Sequence, residues 1–268
     1  MVTSAGNAIP KYVTYWETAP GSRIPPWVAL AIASMRRALG DKFLLLTPSN
    51  ASQYIDPTTL ETNWAFNPLP FKMNSRIASI VAKSDYIRLA FVYKHGGAWL
   101  DADTLLFHDP SSNLFPNGLT EGLHWYSEAL FGSKPGNPIL GEAIRKGFTK
   151  NKHDWGNPGE IREILAEQES NLHQIPDSNL DPGYRPSYNF STCEVMSRRD
   201  VEPEDFLLAK PSLLKLYNTY FTRTSNHIES VSDFLEGGTL LSKLFLHING
   251  DPNYWIGEAE RLEQLMSR

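Results

Sequence analysis

The feature that most constrains this chain is a mostly apolar segment that carries two aspartates. Residues 98–107 read AWLDADTLLF, in which Asp101 and Asp103 interrupt the pattern of a buried strand. Side chains two residues apart on a strand share one face, and the regular rise of a strand separates them by about 6.6 Å. The pattern therefore predicts two carboxylates that face one ligand.

Two carboxylates placed in this way repel each other unless a cation lies between them. Hard oxygen ligands suit Mg²⁺ or Mn²⁺, and a metal ion of this kind commonly carries a diphosphate. Such an ion neutralises charge that develops on a departing nucleoside diphosphate. We therefore predict that Asp101 and Asp103 are metal ligands and catalytic residues.

The segment before this pattern predicts a helix that ends at two glycines. Residues 84–95 have apolar side chains at helical spacing. Gly96 and Gly97 suit the end of a helix because glycine adopts left-handed backbone conformations at low cost. Asp85 and Arg88 are three residues apart and so lie on one face of this helix. They are expected either to form a surface ion pair or to face the same site.

The run from Ser84 to Asp103 resembles the S-D-x-x-R…Y-x-x-G-G-x-x-L-D-x-D signature of DXD-containing sugar transferases. It is close to the capsular polysaccharide synthesis family and more distantly similar to the clostridial glucosylating toxins. The resemblance implies a GT-A fold, a nucleotide-sugar donor and a transfer that usually retains the anomeric configuration. The matching positions are Ser84, Asp85, Arg88, Tyr93, Gly96, Gly97, Leu100, Asp101 and Asp103.

The resemblance also implies roles for single residues of the motif. Asp85 and Arg88 would hold hydroxyls of the donor sugar. Asp101 would contact the ribose or the metal, and Asp103 the metal directly. The family's usual donor is a UDP-hexose, and its usual acceptor is a hydroxyl of a glycan or another molecule, in the synthesis of surface or capsular polysaccharide.

Four residues outside the motif are further candidates. GT-A enzymes often place a C-terminal histidine on the metal, and His247 is the candidate here, with a hydrogen-bonded core histidine as the alternative. An imidazole ligand would favour Mn²⁺ over Mg²⁺ because nitrogen is the softer donor. Trp255 follows at a wider spacing than related families show, and we assign it to the donor. Tyr15 and Trp16 end the first predicted strand, where a ring can stack on a base or simply pack in the core.

The N-terminal part of the chain predicts an α/β fold. Lys11–Glu17 is typical of a strand, residues 25–39 of an amphipathic helix that opens at two prolines, and Phe43–Thr47 of a buried strand. This order indicates a parallel sheet with helices on both faces, whose ligands bind beyond the carboxyl ends of the strands. We expect a central, mostly parallel sheet flanked by helices.

The 268 residues are expected to form a single domain, 1–268, in which residues 1–10 are a loose tail. Residues 57–75 contain prolines without a sustained period and predict a long loop. The resemblance is weakest in the C-terminal half, so residues 150–235 are assigned to the acceptor side by elimination.

The charge and the cysteine content limit which classes of binding partner and which cellular compartment are expected. With 25 Lys+Arg and 30 Asp+Glu, the formal net charge is −5, which favours neither nucleic acid nor an anionic membrane. Cys193 is the only cysteine, so no disulfide framework is expected. The first twelve residues lack the basic flank and the apolar run of a signal peptide, and no apolar run approaches the ~20 residues that span a bilayer, so we expect neither secretion nor a membrane anchor. We expect a cytoplasmic protein. The alternative is a peripheral protein at the inner face of the membrane.

Two other functions stay open at this point. An apolar strand followed by D-x-D-T-L resembles the first motif of haloacid-dehalogenase-type phosphohydrolases, in which Asp101 would be the nucleophile. That motif normally stands near the start of its domain, with a glycine where this chain has Thr104. The third possibility is a non-catalytic sugar-binding relative, against which the two intact aspartates argue.

Overall fold

The computed structural model describes residues 12–19, 21–55, 77–149, 158–167, 169–175, 191–207 and 211–266. The strands in these residues are β1 (Tyr12–Tyr15), β2 (Phe43–Leu46), β3 (Gly97–Leu100), β4 (Thr104–Leu106), β5 (Leu123–Ser127), β6 (Leu130–Ser133), β7 (Leu172–Gln174) and β8 (Leu213–Lys215). The helices are α1 (Pro26–Leu39), α2 (Ile77–His95), α3 (Ser111–Leu114), α4 (Pro138–Thr149), α5 (Pro158–Glu167), α6 (Ser191–Met196), α7 (Pro203–Phe206), α8 (Asn218–Thr224), α9 (Val231–Glu236), α10 (Leu240–Ile248) and α11 (Pro252–Met266).

These elements belong to two compact units. The first takes its described residues from Met1–Trp16, Asp41–Leu100 and Leu119–Gln174. The second takes them from Glu17–Gly40, Asp101–Gly118 and Ile175–Arg268. The single domain expected over residues 1–268 stays a prediction.

The first unit is built on a sheet whose described strands follow the order β2-β1-β3-β6-β5-β7. β1 pairs in parallel with β2 and β3, and β5 pairs in parallel with β7. β6 is antiparallel to both of its neighbours. Helix α2 packs on β1, β3 and β6, and α4 packs on α2. The predicted class, an α/β fold with a mostly parallel central sheet flanked by helices, is confirmed.

Helix α2 forms the centre of the first unit's core. It runs from Ile77 to His95, and residues 86–92 are all buried. A helix that is buried on every side for two turns is expected where a sheet covers one face and another helix covers the opposite face. Trp99 of β3 and Phe131 of β6 are fully buried in the same core.

The end of α2 confirms the predicted role of the two glycines. Gly96 has φ 69° and Gly97 has φ 92°, both in the left-handed region. The Gly96 N–H donates to the carbonyl oxygen of Val92 at 2.8 Å. The chain thus turns from α2 directly into β3, whose last residue, Leu100, precedes Asp101.

The prediction of one strand over residues 98–107 is wrong. β3 ends at Leu100 and β4 begins at Thr104, and the Thr104 N–H donates to the Asp101 carbonyl oxygen at 3.1 Å, which closes a turn. Aspartate is depleted in strands and common in turns because its short side chain bonds to nearby backbone groups. Asp101 and Asp103 therefore lie in a turn and not on one face of a continuous strand.

The second unit contains α1 and the small antiparallel sheet of β4 and β8. Helix α1 opens at Pro26, as the prolines predict, and its residues 26–35 are all buried. It packs on β4, α9 and α11. The Leu106 N–H of β4 donates to Ser34 Oγ of α1 at 2.9 Å, so a buried polar side chain attaches the helix to the strand.

Several sequence predictions lie outside the described residues. The tail 1–10 and the loop 57–75 do so entirely. The predicted acceptor side, 150–235, is described over 158–167, 169–175, 191–207 and 211–235. Among the helices that the structure describes, none has both the length and the apolar character required to cross a membrane.

Two histidines face each other across the paired strands β5 and β7. The ring centroids of His124 and His173 are 4.9 Å apart. The Thr120 N–H donates to His124 Nε2 at 3.3 Å, which requires a neutral imidazole with a free lone pair at that nitrogen. Burial and, to a smaller extent, the charge of His173 lower the pKa of His124 below its ordinary value.

Replacing Gly96 with alanine is expected to destabilise the protein by more than the left-handed backbone alone explains. An added Cβ would lie 2.8 Å from Pro135 Cδ and 3.0 Å from the Ser133 carbonyl oxygen. Gly118 is the matched control, because it has φ +74° and no atom within 4 Å of an added Cβ. In urea unfolding, Gly118→Ala should cost about 1–2 kcal/mol and Gly96→Ala at least about 1 kcal/mol more. Equal costs would contradict the steric argument.

The free energy of unfolding is expected to fall as the pH drops below the ordinary histidine pKa of 6.5. The pKa of His124 is lowered in the folded state, so the unfolded chain binds the proton first and acid favours unfolding. Urea unfolding of the wild type and of His124→Gln at pH 7.5 and pH 5.5 measures this effect. The substitution should reduce the loss of stability between the two pH values, and an unchanged loss would contradict this assignment.

Candidate active site

Two carboxylates and one ammonium group form the centre of the candidate site in the second unit. Lys215 Nζ donates to Asp101 Oδ2 at 2.9 Å and also to Asp103 Oδ1. The exposed fraction of the side chain is 26% for Asp101, 12% for Asp103 and 14% for Lys215. The two carboxylates that the sequence expects to face one ligand thus converge on one cationic group.

The pairing of β4 with β8 fixes the position of Lys215. Thr104 and Lys215 lie opposite each other in the register of the two strands. The Leu216 N–H donates to the backbone carbonyl oxygen of Asp103 at 2.8 Å, which extends the pairing by one residue. Leu214 and Leu216 are fully buried, and the alternation of a strand directs Lys215 to the other face.

The second oxygen of Asp103 is held by the backbone. The Asn218 N–H donates to Asp103 Oδ2 at 2.7 Å. Tyr217, between the two residues that bind Asp103, has φ 52° and ψ 72°, a left-handed conformation that costs a non-glycine residue about 1–2 kcal/mol. The flanking hydrogen bonds from Leu216 and Asn218 offset this strain. Asp103 is therefore bound on both carboxylate oxygens and on its backbone carbonyl.

Helix α1 supports the same turn through an indole group. Trp27 Nε1 donates to Asn218 Oδ1 at 2.8 Å, and the Trp27 ring packs against Phe221 at a centroid distance of 5.9 Å. Trp27 is buried. The side chain of Asn218 is thus fixed from α1 while its N–H holds Asp103.

The electrostatics of the cluster keep Lys215 charged. Burial by itself would lower the pKa of the ammonium group, but the charges of Asp101 and Asp103 outweigh it and raise the pKa above its ordinary value. Lys215 is therefore protonated at neutral pH. With both aspartates ionised, the three groups carry one net negative charge.

The donor set of the cluster fits a divalent cation. Mg²⁺ is usually held in proteins by one or two carboxylates together with substrate phosphates, and two carboxylates already surround a cation here. Across the described ranges, no group of three or more His, Cys, Asp and Glu side chains is placed to hold a metal ion. Within the described residues the cluster itself offers the carboxylates of Asp101 and Asp103, and metal binding by them stays a prediction.

His247 and Trp255 have other partners in the second unit. His247 lies in the last turn of α10, with its side chain 44% exposed and Nδ1 3.4 Å from Glu204 Oε1. It does not complete a three-ligand group with the two aspartates. Trp255 of α11 is 0% exposed, and its indole N–H donates to the Asn249 carbonyl oxygen at 2.9 Å. The metal role of His247 and the donor role of Trp255 stay predictions.

Asp85 and Arg88, on α2 of the first unit, form an ion pair. Arg88 Nη2 lies 3.0 Å from Asp85 Oδ1, and the two side chains are 7% and 19% exposed, respectively. The pair is one of the two arrangements expected from the sequence, but it is largely buried and does not lie at the surface. Burial of charge has a desolvation cost that a surface pair does not have.

Tyr15 and Trp16 differ in their exposure. Tyr15, the last residue of β1, is 3% exposed and belongs to the core, where Lys83 Nζ lies 6.0 Å from its ring centroid. Trp16 is half-buried, and its backbone N–H donates to the Leu46 carbonyl oxygen at 3.0 Å. Of the two aromatic rings, that of Trp16 offers the accessible surface, and base contact by either one stays a prediction.

Lys215 and Asn218 are not among the site residues predicted from the sequence. One signal for Lys215 exists, because a lysine between apolar residues in the strand sequence LLKL is expected to have an anionic partner when buried. Nothing in that signal says which carboxylate is the partner. Asn218 binds Asp103 through its backbone N–H. Almost any residue type could supply this group, so the sequence does not reveal the role.

Part of the candidate site lies in a segment that matches a known protein family. Residues 15–124 match the family described as "Capsular polysaccharide synthesis protein". The resemblance is confirmed over this segment. It includes Asp85, Arg88, Asp101 and Asp103, whereas Lys215 and Asn218 lie beyond it.

Solved structures of two glycosyltransferases are similar to this chain. "PaToxG Glycosyltransferase" shows 14% identity and a TM-score of 0.40 over 60% of this chain and 70% of that one. The apo form of the glycosyltransferase GlyE from Streptococcus pneumoniae TIGR4 shows 15% identity and a TM-score of 0.48 over 95% of this chain. A second GlyE structure shows 14% identity and a TM-score of 0.45. This chain spans 64% of each GlyE chain. No curated protein sequence gives a significant match.

Asp103→Ala is expected to destabilise the protein more than Asp101→Ala. Removal of the Asp103 carboxylate deprives the Asn218 N–H of its acceptor and Lys215 of one partner, at a cost of about 2–3 kcal/mol. Asp101→Ala leaves Lys215 bound to Asp103 and should cost about 1 kcal/mol. Urea unfolding of the two variants checks the order, and equal costs would contradict the structural role assigned to Asp103.

Proposed function

We propose that this protein is a glycosyltransferase that moves a sugar from a nucleoside-diphosphate donor to a hydroxyl acceptor in surface or capsular polysaccharide synthesis. The observation that carries the proposal is the convergence of the Asp101 and Asp103 carboxylates on one cationic group. The family match over residues 15–124 supports it because the matched segment contains both aspartates. Carboxylates grouped around a cation suit a donor whose leaving group is a diphosphate.

The proposed cofactor is Mn²⁺ or Mg²⁺, held by Asp101 and Asp103. Bound there, the metal would neutralise the charge that develops on the diphosphate as it leaves. The protein's own contribution is positioning, because the Asn218 N–H and Lys215 fix the Asp103 carboxylate before any ligand binds. A carboxylate that is already oriented loses little conformational freedom on binding and needs no reorganisation during the reaction.

The donor contacts within this proposal come from the first part of the motif. Arg88 supplies N–H donors and Asp85 supplies acceptor oxygens, a combination that suits the hydroxyls of a sugar. Trp16 is the ring that we assign to the base, because it is the more exposed of the two candidates. The proposed donor is a UDP-hexose. The proposed transfer retains the anomeric configuration, as is usual in the family that the motif resembles. Because the motif identifies no nucleophile, the proposed route has no covalent intermediate.

Thermal unfolding in the presence of UDP, GDP and CMP, each with Mn²⁺, Mg²⁺ or EDTA, tests the proposal without knowledge of the acceptor. A ligand that binds only the folded protein at a hundredfold excess over its Kd stabilises it by about 2.7 kcal/mol. We expect stabilisation by one nucleotide, most strongly UDP, that depends on Mn²⁺ or Mg²⁺ and is lost in Asp103→Ala.

Asp200→Ala is the matched control, because this exposed carboxylate of the second unit pairs with Arg198 and has no part in the proposed site. It should keep the nucleotide response of the wild type. No response to any nucleotide, together with release of phosphate from a generic aryl phosphate, would favour the phosphohydrolase. Binding of a nucleotide without transfer or hydrolysis of its sugar donor would favour the non-catalytic relative.

A further inference from the structure

The ammonium group of Lys215 occupies the position between the two carboxylates where a metal ion is expected. It donates to Asp101 Oδ2 at 2.9 Å and to Asp103 Oδ1, so it contacts one oxygen of each carboxylate. The Lys215 side chain is 14% exposed. This group is therefore an internal cation in the cluster and not a surface lysine near two acids.

Backbone hydrogen bonds fix the Cα of Lys215, whereas its side chain has rotatable bonds between the Cα and the ammonium group. The β4–β8 register places Lys215 opposite Thr104, and the Leu216 N–H binds the Asp103 carbonyl oxygen. These contacts fix the Cα of Lys215 beside the turn. The four-carbon stem of a lysine has several rotatable bonds, so the ammonium group can leave the carboxylates while the strand stays in place.

Charge makes the ammonium group and a metal ion competitors. Two carboxylates and Lys215 carry one net negative charge, and a divalent ion added at the same oxygens would lie within a few ångströms of the ammonium group. Like charges at that distance in a partly buried site repel strongly. The ammonium group and a divalent ion would therefore compete for Asp101 Oδ2 and Asp103 Oδ1.

We propose that Lys215 is a built-in substitute for the metal, and that a divalent cation binds Asp101 and Asp103 only by displacing its ammonium group. The inference deepens the proposed function, since it concerns the same two carboxylates and the cofactor proposed for them. Before metal binds, the lysine prevents repulsion between the carboxylates and keeps them oriented. After metal binds, the displaced ammonium group is available to the anionic part of a donor.

Calorimetric titration with MnCl₂ alone tests the competition. Lys215→Met removes the competing charge and keeps an apolar stem of similar length, so Mn²⁺ should bind this variant about tenfold or more tightly than the wild type. Lys215→Arg keeps the charge and should bind Mn²⁺ as weakly as the wild type. Equal affinity of the wild type and Lys215→Met overturns the proposal.

Lys243→Met is the matched control for loss of a partly buried lysine in the same unit. Lys243 Nζ donates to the carbonyl oxygens of Arg199 and Val201 and to Glu202 Oε1. This substitution should leave the Mn²⁺ affinity at the wild-type value. A gain in affinity equal to that of Lys215→Met overturns the assignment to Lys215.

A measurement on the wild-type protein keeps the proposal testable if Lys215→Met does not fold. Brief acetylation with an amine-reactive ester, read by peptide mass spectrometry, reports how accessible each lysine is. Saturating Mn²⁺ should raise the acetylated fraction of Lys215 severalfold and leave that of Lys243 unchanged. An unchanged or lower fraction at Lys215 overturns the proposal.

These experiments distinguish a failure of the competition between Lys215 and the metal from a failure of the proposed glycosyltransferase function. Competition between Mn²⁺ and Lys215 in a protein that binds no nucleotide supports this inference and contradicts the glycosyltransferase. Nucleotide binding that depends on Mn²⁺, with no effect of Lys215→Met on Mn²⁺ affinity, overturns this inference and leaves the glycosyltransferase supported.

Discussion

The candidate site depends on the attraction between one lysine and two aspartates. Two carboxylates in a partly buried turn repel each other, and without a cation the turn between β3 and β4 would bring like charges together. Lys215 of β8 supplies that cation from a position more than a hundred residues further along the chain. The small sheet of β4 and β8 is thus both a structural element and the means by which the carboxylates are held.

The supporting contacts follow the general requirement that buried polar groups have partners. Ser34 of α1 accepts the N–H of Leu106, and Trp27 of the same helix binds Asn218, whose backbone N–H holds Asp103. A helix that is buried along most of its length therefore still contributes hydrogen bonds to the strand and the turn of the site. The left-handed Tyr217 fits the same view, because backbone strain persists only where surrounding contacts fix it.

The first unit also contains a largely buried ion pair, formed by Asp85 and Arg88 of α2. Such pairs contribute little to stability in general, because the desolvation of both charges offsets their attraction. The donor role that we propose for the two residues would give this pair a function besides folding.

The sequence by itself determined the elements whose signal is local. Apolar periodicity, the prolines before α1 and the two glycines after α2 were enough to predict the parallel strands β1 and β2, the helix between them and the turn into β3. The motif likewise identified Asp101 and Asp103, because residue type and spacing are properties of a short segment. The break between β3 and β4 is not evident from the pattern, because a mostly apolar run favours a single strand, whereas the preference of aspartate for turns ends β3 at Leu100.

Only the tertiary structure decided what surrounds the two aspartates. Lys215 reaches them through a strand register, and Asn218 through a backbone N–H that any residue except proline could supply. The same applies to the different exposures of Tyr15 and Trp16, which depend on how the side chains pack. Contacts between distant segments are set by packing and register, and these arise only when the chain is folded, which is why a pattern read along the sequence does not contain them.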